Sequence, residues 1–251
     1  MSNPEPAATG PDEVRVTLDR REPVAESTYA FHFGLGGAQL PYRPGQAVDL
    51  RFPGATRPDP RGHVRAFSLA AAPGAPRLTI ATRIRQSPFK QDLLEVPLGT
   101  ELFASQPWGD FIVPPDEADV VMIAGGIGVT PFRAILQEMI ATSAPAEMSL
   151  LHSGRTPEET PFLDEFRRWS ATNPQFAYLP TMTQAERSPH AWIGERRRID
   201  APFLSAVLDD GAHAALYMVA GPPAFVDAVS GALVEIGVPA ERVMRDAFDG
   251  Y

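Results

Sequence analysis

Short runs of alternating apolar and polar residues fill the first half of the chain. Gly and Pro bound each run, so the period of two and the turn signals predict the strands of an antiparallel barrel or sandwich. The predicted strands cover residues 14–18, 29–33, 47–52, 66–70, 78–82 and 111–113. One predicted helix interrupts them at 89–96, after Ser87 and Pro88, which match an N-cap and a first helical position.

The second half of the chain alternates apolar strands with helices. Residues 120–124 are all apolar, which is typical of a strand covered on both faces. Further strands are predicted at 148–152, 176–180, 215–220 and 243–248, and helices at 131–142, 161–170, 201–208 and 224–236. This repetition predicts a parallel, doubly wound α/β sheet.

The sequence therefore predicts two domains that meet at a Pro-Pro-Asp-Glu linker, residues 114–117. The first, 11–114, is expected to be an antiparallel β-barrel, and the second, 117–251, an α/β domain. A chain of 251 residues is long enough for two such units.

Composition excludes several kinds of site. The chain has no cysteine, so it has no disulfides, no cysteine-ligated zinc and no thiolate-held iron–sulfur cluster. Its five histidines lack metal-ligand spacing, and we expect no metal.

A net charge of -9 argues against nucleic-acid binding. No apolar run is long enough to span a bilayer and the first ten residues do not resemble a signal peptide, so we expect a cytoplasmic monomer.

The strongest local signal is a glycine-rich turn at residues 124–131, which read Ala-Gly-Gly-Ile-Gly-Val-Thr-Pro. The turn joins an apolar strand to a helix. Glycines let the backbone turn tightly and approach a ligand closely, and a helix N-terminus offers free N–H groups to a pyrophosphate. The position of the turn after the first strand of an α/β unit predicts nucleotide binding.

Three further motifs occur in a fixed order around this turn. Residues 65–68 read Arg-Ala-Phe-Ser, residues 220–223 read Ala-Gly-Pro-Pro, and the chain ends at 248–251 with Phe-Asp-Gly-Tyr. Together with Tyr-Arg-Pro-Gly-Gln at 42–46, they resemble the ferredoxin–NADP reductase superfamily over nearly the whole chain. The resemblance implies a flavin-binding barrel followed by a nicotinamide-binding domain.

The resemblance assigns the flavin to the barrel. It implies that Arg65 binds the pyrophosphate, that Phe67 packs on the isoalloxazine or ribityl portion, and that Ser68 places its hydroxyl near flavin N5. The second phosphate motif of the family is altered at 84–87, where only Ser87 matches. FAD is therefore expected, and FMN stays open. The flavin-binding residues implied are Arg65, Ala66, Phe67, Ser68, Thr82, Arg83, Ser87, Phe89 and Lys90.

The resemblance assigns NADPH or NADH to the second domain. No carboxylate ends the second strand of that domain to accept from a ribose hydroxyl, and Arg155 is suited to a 2′-phosphate, which favours NADPH. The family's cysteine is Ala220 here. The nucleotide-binding residues implied are Gly125, Gly126, Ile127, Gly128, Thr130, Pro131, Ser153, Arg155, Gly221, Pro222 and Pro223.

Three residues are implied in catalysis: Ser68, Asp246 and Phe248. The family often ends in an aromatic that stacks on the flavin until nicotinamide displaces it. Phe248 and Tyr251 compete for that role, and Asp246 stands where the family has a glutamate.

The function implied is hydride transfer from nicotinamide C4 to flavin N5, followed by electron transfer to a ferredoxin, a flavodoxin or a small-molecule acceptor. Basic residues of the first half suggest a docking face for an acidic carrier: Arg43, Arg51, Arg57, Arg61, Arg83, Arg85 and Lys90. Two alternatives stay open. One is a flavin reductase or ferric-siderophore reductase, and the other is a nucleotide-sensing or electron-bifurcating subunit without turnover of its own.

Overall fold

The first half of the chain forms six antiparallel strands and one helix. The computed structural model of the protein describes residues 12–54, 58–59, 62–208 and 214–248. The strands are β1 (Glu13–Ala25), β2 (Thr28–Gly34), β3 (Ala47–Arg51), β4 (Val64–Ser68), β5 (Leu78–Arg83) and β6 (Glu101–Ser105), and the helix is α1 (Pro88–Glu95).

These strands close into a barrel in the order β4-β3-β6-β1-β2-β5. The two outer strands meet just beyond β4, where Leu69 forms an antiparallel bridge with Ile80. The Ala70 N–H donates to the Thr79 carbonyl at 2.8 Å. Alternate side chains point inward and form one apolar core, against which α1 packs. The alternating pattern of the sequence thus correctly predicted an antiparallel barrel.

Among its described residues, the second half forms five parallel strands and four α-helices. The strands are β7 (Asp119–Gly125), β8 (Glu147–Gly154), β9 (Phe176–Met182), β10 (Leu216–Gly221) and β11 (Val243–Ala247). The helices are α2 (Thr130–Ala141), α3 (Leu163–Thr172), α4 (Ala201–Val207) and α5 (Pro223–Glu235). This architecture confirms the predicted α/β unit. In the part of the chain that the structure describes, no helix is both long and apolar enough to cross a bilayer.

The strand order of the second sheet, β11-β10-β7-β8-β9, reverses direction at β7. The chain first builds outward through β8 and β9, then returns to the other side of β7 with β10. In open α/β sheets, ligands bind beyond the carboxyl ends of the strands at such a reversal. The barrel strands end at Ser105 and the second sheet begins at Asp119. The domain bounds 11–114 and 117–251 stay a prediction.

One predicted strand is wrong and one strand escaped prediction. Residues 111–113 form no strand, whereas β6 lies between β3 and β1. The period of two is not visible in the sequence of β6, because the consecutive residues Leu102 and Phe103 are both apolar and both buried. Phe103 faces outward, but Arg51 covers its ring, with the guanidinium carbon 4.4 Å from the ring centroid. Such cover comes from a distant strand, so local periodicity does not reveal it.

Apolar side chains join the barrel to the second sheet in a single cluster. Ala70 and Ala81 of the barrel lie in the same buried cluster as Val129 and Phe132 of the second half. Phe111, in the connecting segment, packs on Phe132 with ring centroids 5.7 Å apart. Burial of one aromatic side chain contributes about 1.5–3 kcal/mol, so these few contacts suffice to fix the two lobes together.

Gly45 tests how tightly the connecting segment packs on the barrel. A Cβ at Gly45 would lie 1.9 Å from the Phe111 carbonyl oxygen, whereas a Cβ at Gly99 would meet nothing within 4 Å. Both glycines have positive φ, +99° and +89°. We expect Gly99→Ala to cost about 1 kcal/mol of unfolding free energy for backbone strain alone. Gly45→Ala should cost about 1–3 kcal/mol more, because the packed backbone must move.

The measurement is the urea midpoint of the two variants and the parent. Because the two positions have similar positive φ, the difference between the variants reports mainly the packing contribution. Equal losses of stability would contradict the packing role of Gly45.

Candidate active site

A cavity of about 360 Å³ lies between the barrel and the carboxyl ends of the second sheet. Its walls come from both lobes, and many residues predicted for the site line it. Those residues are Arg65, Ala66, Phe67, Ser68, Thr82, Ser87, Lys90, Ile127, Thr130, Asp246 and Phe248. The other predicted residues that the structure describes lie outside this lining, and Tyr251 lies outside the described residues.

A larger cleft of about 670 Å³ opens elsewhere between the lobes. It is lined by β1, β2 and the segment around α3, and none of the residues predicted for the site lines it. Two of its arginines are already paired: Arg133 with Glu165 at 2.7 Å and Arg167 with Asp164 at 3.3 Å. We therefore take the smaller cavity as the candidate active site.

The barrel wall of the cavity presents one aromatic ring and two hydroxyl groups. Phe67 and Ser68 end β4, Thr82 lies near the end of β5, and all three are mostly buried. Phe89 of α1 packs behind Phe67, with ring centroids 5.9 Å apart, and also contacts Phe52 at 5.0 Å. Phe89 therefore supports the wall from one layer behind and does not line the cavity.

Cationic side chains from both lobes, Arg65, Lys90 and Arg245, line the cavity. Arg65 pairs with Asp59, whose Oδ2 lies 2.6 Å from Nη2, and its Nη1 donates to the carbonyls of Gly62 and Val64. These bonds hold the guanidinium at the wall. Ser87 and Lys90 line the same cavity at the start of α1.

The start of α1 presents an N-cap hydroxyl and a cationic side chain to the cavity. Ser87 is the N-cap residue, but its side chain makes no capping hydrogen bond to the helix. A helix N-terminus with a cationic residue in its first turns attracts phosphate oxygens. This part of the cavity is therefore the place where the lining best suits phosphate.

Arg83 and Arg155 lie away from the cavity and share one carboxylate. Arg83 Nη2 is 2.5 Å from Glu159 Oε2, and Arg155 Nη1 is 3.9 Å from the same oxygen. Arg83 therefore links β5 to the segment after β8. It does not line the cavity. Ser153 is half-buried near the end of β8, next to this pair in sequence.

Two glycines of the glycine-rich turn pack too closely for any larger residue. It continues from β7 as a 3₁₀ turn, Gly126–Val129, before α2 begins at Thr130. A Cβ at Gly128 would lie 2.4 Å from the Ala220 carbonyl oxygen, and one at Gly125 would lie 2.8 Å from the Phe225 ring. The turn is thus pressed against the end of β10, and this packing requires glycine at Gly125 and Gly128.

His152 supports this turn from below, a role that sequence reasoning missed. Its Nε2 lies 2.9 Å from the Gly126 carbonyl oxygen, and its Nδ1 lies 3.1 Å from the Tyr178 hydroxyl. A carbonyl only accepts, so Nε2 carries the proton and the Tyr178 hydroxyl donates to Nδ1. Complete burial lowers the pKa of His152 to about 4, so the ring is neutral at pH 7. In the sequence, only the position of His152 near the end of a strand beside the turn could have indicated this supporting role.

The last strand brings a carboxylate and an aromatic ring to the cavity. The Phe248 N–H donates to the Gly221 carbonyl at 3.0 Å, which fastens the segment after β11 to the end of β10. Gly221 has a φ of +153° and lies beside Gly125, so the ends of β7 and β10 meet closely. Pro222 and Pro223 follow at the start of α5.

Asp246 is the most perturbed acid in the cavity lining. Burial, reinforced by the charge of Asp110, raises the pKa of Asp246 to about 6. Both carboxyl groups line the same cavity. A carboxyl group that gains its proton near neutral pH is typical of functional sites.

Comparisons with known proteins agree on the kind of protein. A family model described as an oxidoreductase NAD-binding domain matches residues 122–231. The flavohemoprotein of Deinococcus radiodurans is 29% identical over 237 residues, which cover 90% of this chain and 57% of that protein. The reductase component of propane 2-monooxygenase from Rhodococcus jostii is 25% identical over 245 residues, or 94% of this chain and 64% of that component.

The fold has solved counterparts. The crystal structure of a ferredoxin NADP+ reductase from Neisseria gonorrhoeae with bound FAD and NADP matches with a TM-score of 0.78 and 21% identity. The match covers 95% of this chain and 100% of that one, so the two-lobed fold is the same. The chain spans less than two thirds of the length of the two curated relatives.

The raised pKa of Asp246 predicts how stability depends on pH. Its folded pKa of about 6 exceeds the ordinary value of 3.8, so the unfolded chain loses this proton first as pH rises. Stability should therefore fall between about pH 4 and pH 6, by up to about 3 kcal/mol from this group. Asp246→Asn should remove this loss and be more stable than the parent at pH 7.

Urea unfolding of the ligand-free protein between pH 4 and pH 8 measures the effect. Asp116→Asn, which removes an exposed carboxylate, controls for the loss of one charge. A parent and an Asp246→Asn variant with parallel stability curves over this range would contradict the assignment.

Proposed function

We propose that this chain is a member of the ferredoxin–NADP reductase superfamily and an NAD(P)H-dependent flavoprotein reductase. FAD is proposed to bind in the cavity between the lobes, against β4, and the nicotinamide nucleotide to bind at the glycine-rich turn. The observation that carries the proposal is that one cavity is lined by Phe67 and Ser68 from the barrel and by Thr130 and Phe248 from the second sheet.

The lining of the cavity fits a flavin. A volume of about 360 Å³ is within the usual range for small-molecule sites. The Phe67 ring offers an apolar face, and the hydroxyls of Ser68 and Thr82 offer hydrogen bonds to ring atoms. Arg65 and Lys90 supply positive charge for a diphosphate. Two sets of groups suited to phosphate, at β4 and at the start of α1, favour FAD over FMN.

The second lobe fits the nucleotide. The free N–H groups at the start of α2 and its dipole favour the pyrophosphate, and the nearby ends of β7 and β10 leave a place for the nicotinamide. Arg155 is half-exposed, within 3.9 Å of Glu159. A 2′-phosphate would compete with that carboxylate for Arg155, and we propose a preference for NADPH over NADH on this basis.

The cofactors supply the chemistry, which moves one hydride, that is, two electrons with one proton, from the reduced nicotinamide to the flavin. The chain supplies geometry and a dry site. Ser68 would donate a hydrogen bond at the reacting edge, and Asp246 would hold a proton near it. Phe248 would cover the cavity until nicotinamide displaces it, at a cost of about 1–3 kcal/mol if stacking resembles that of nucleobases.

The acceptor is proposed to be a ferredoxin, a flavodoxin or another partner component. The Rhodococcus jostii relative is the reductase component of a monooxygenase, which fits this role.

The basic docking face expected from the sequence carries less unpaired positive charge than its composition suggests. Arg51 pairs with Glu13 at 2.6 Å and Arg83 with Glu159, while Arg57 and Arg61 lie outside the described residues. Arg43 and Arg85 are exposed.

A flavin reductase, which releases its flavin, is the second candidate. The observation in its favour is the 2.6 Å pair between Arg65 and Asp59. A carboxylate that already occupies the guanidinium weakens the attraction between Arg65 and a diphosphate. Retention of FAD during purification separates the two candidates.

Arg65 is expected to contribute to FAD affinity through its charge on the diphosphate. Arg65→Ala should weaken FAD binding about 10–100-fold, the usual effect of losing a charge-assisted hydrogen bond. Riboflavin, which lacks phosphate, should bind both proteins equally. Fluorescence titration of flavin-free protein measures both affinities. Arg77→Ala, at an exposed barrel arginine paired with Asp19, is the matched control. Parental FAD affinity in Arg65→Ala would contradict the assigned role.

Anaerobic stopped-flow spectroscopy tests the proposed function itself. We expect yellow protein that NADPH bleaches faster than NADH, and that ferredoxin or flavodoxin then reoxidises. Colourless protein that reduces added flavin would instead favour the flavin reductase. Bound flavin that neither nucleotide reduces would refute a reductase and favour a subunit without turnover.

A further inference from the structure

Two side chains on one face of α2 reach across to the barrel. Arg133 Nη1 donates to the Ala70 carbonyl at 2.5 Å, and the Ala72 N–H donates to Gln137 Oε1 at 3.0 Å. Arg133 and Gln137 are four residues apart, so they lie one above the other on the helix. The helix therefore holds the backbone of residues 70–72 at two points.

Arg133 is itself firmly held. Its Nε and Nη2 donate to the two carboxylate oxygens of Glu165 on α3, at 2.7 and 2.8 Å. Its guanidinium carbon lies 4.8 Å from the centroid of the Phe162 ring. All three guanidinium nitrogens are engaged and the side chain is 15% exposed, so Arg133 acts as a rigid brace between α3 and the barrel.

The brace joins the two halves of the candidate active site close to the reacting groups. Ala70 lies two residues after Ser68 at the end of β4, and Arg133 lies three residues after Thr130 at the start of α2. A shift at either contact would be transmitted through one turn of helix or two residues of extended chain. The brace therefore links the segment that follows Ser68 to the helix that begins at Thr130.

We infer that Arg133, assisted by Gln137, is a positioning residue that sets the distance between the flavin and the nicotinamide. The inference rests on the proposed function. Neither side chain needs to touch a cofactor for this role. Hydride transfer requires a close and aligned approach, and a displacement of about 1 Å at the reacting atoms costs about 100-fold in rate.

The apolar contact between the lobes does not depend on the brace. Phe111 and Phe132 keep their rings 5.7 Å apart, within a cluster of buried residues that spans both lobes. Loss of Arg133 should therefore leave the lobes associated but less exactly spaced. This separates a positioning role from a merely stabilising one, because the expected defect is in rate more than in folding or binding.

The test compares Arg133→Met and Gln137→Leu with Arg242→Met. Arg242 is a matched control, since it also makes two bonds to one carboxylate, Glu117, at 2.7 and 2.9 Å, and one to the Ala215 carbonyl. Its partners all lie in the second half of the chain, remote from the lobe contact. We expect the limiting rate of flavin reduction at saturating NADPH to fall about 10–100-fold in Arg133→Met, and less in Gln137→Leu.

Two further readouts separate positioning from damage to a binding site. FAD affinity of the flavin-free protein and the KM for NADPH should stay close to parental values. Hydrogen exchange of the Ala72 amide in the flavin-free protein should be faster in Gln137→Leu, because its acceptor is gone. Arg242→Met should lose stability but keep the parental limiting rate.

Each outcome decides one point. Parental limiting rates in both Arg133→Met and Gln137→Leu, with a parent that NADPH reduces, would overturn the inference and leave the proposed function intact. A parent whose flavin NADPH does not reduce would overturn the proposed function and the inference with it. If Arg133→Met does not fold, the rate and the Ala72 exchange of Gln137→Leu decide.

Discussion

The contact between the barrel and the second sheet is the constraint on which the candidate site depends, because neither lobe encloses the cavity alone. Phe111 and Phe132 supply apolar cohesion, and Gly45 lets the connecting segment pack directly on the barrel backbone. Apolar cohesion is non-directional and does not set distances finely. The directional bonds of Arg133 and Gln137 add that precision. Cohesion and precision thus come from different groups at one interface.

Burial acts in opposite directions on two ionisable groups around the cavity. It lowers the pKa of His152 and raises that of Asp246, so both groups favour their neutral form. Neutral His152 supports the glycine-rich turn without adding charge beside the proposed nucleotide site. Asp246 keeps its proton in the cavity up to about pH 6. At pH 7, above that pKa, Asp246 is mostly ionised, so the cavity lining carries carboxylate charge as well as the cationic side chains Arg65, Lys90 and Arg245.

Much of the fold follows from local sequence pattern. Strands such as β1, where Val14, Val16 and Leu18 stand between polar residues, alternate clearly, and the glycine-rich turn follows an apolar strand. What could not be predicted depends on partners distant in sequence. The strand β6 was hidden because Arg51 covers Phe103, and the brace at Arg133 requires knowing that α2 faces residues 70–72. The ion pairs of Arg65 and Arg83 could not be predicted either, because a sequence motif identifies a residue type but not its neighbours in space.

The carboxylate of Glu159 serves an arginine from each lobe, Arg83 of the barrel and Arg155 beyond β8. Under the proposed preference for NADPH, Arg155 is the charge that selects the coenzyme. In this chain, replacement of Glu159 would free Arg155 and would also remove the anion that anchors Arg83. The proposed coenzyme preference and the attachment of the lobes are therefore linked through one side chain, and a redesign must supply a new anchor for Arg83 first.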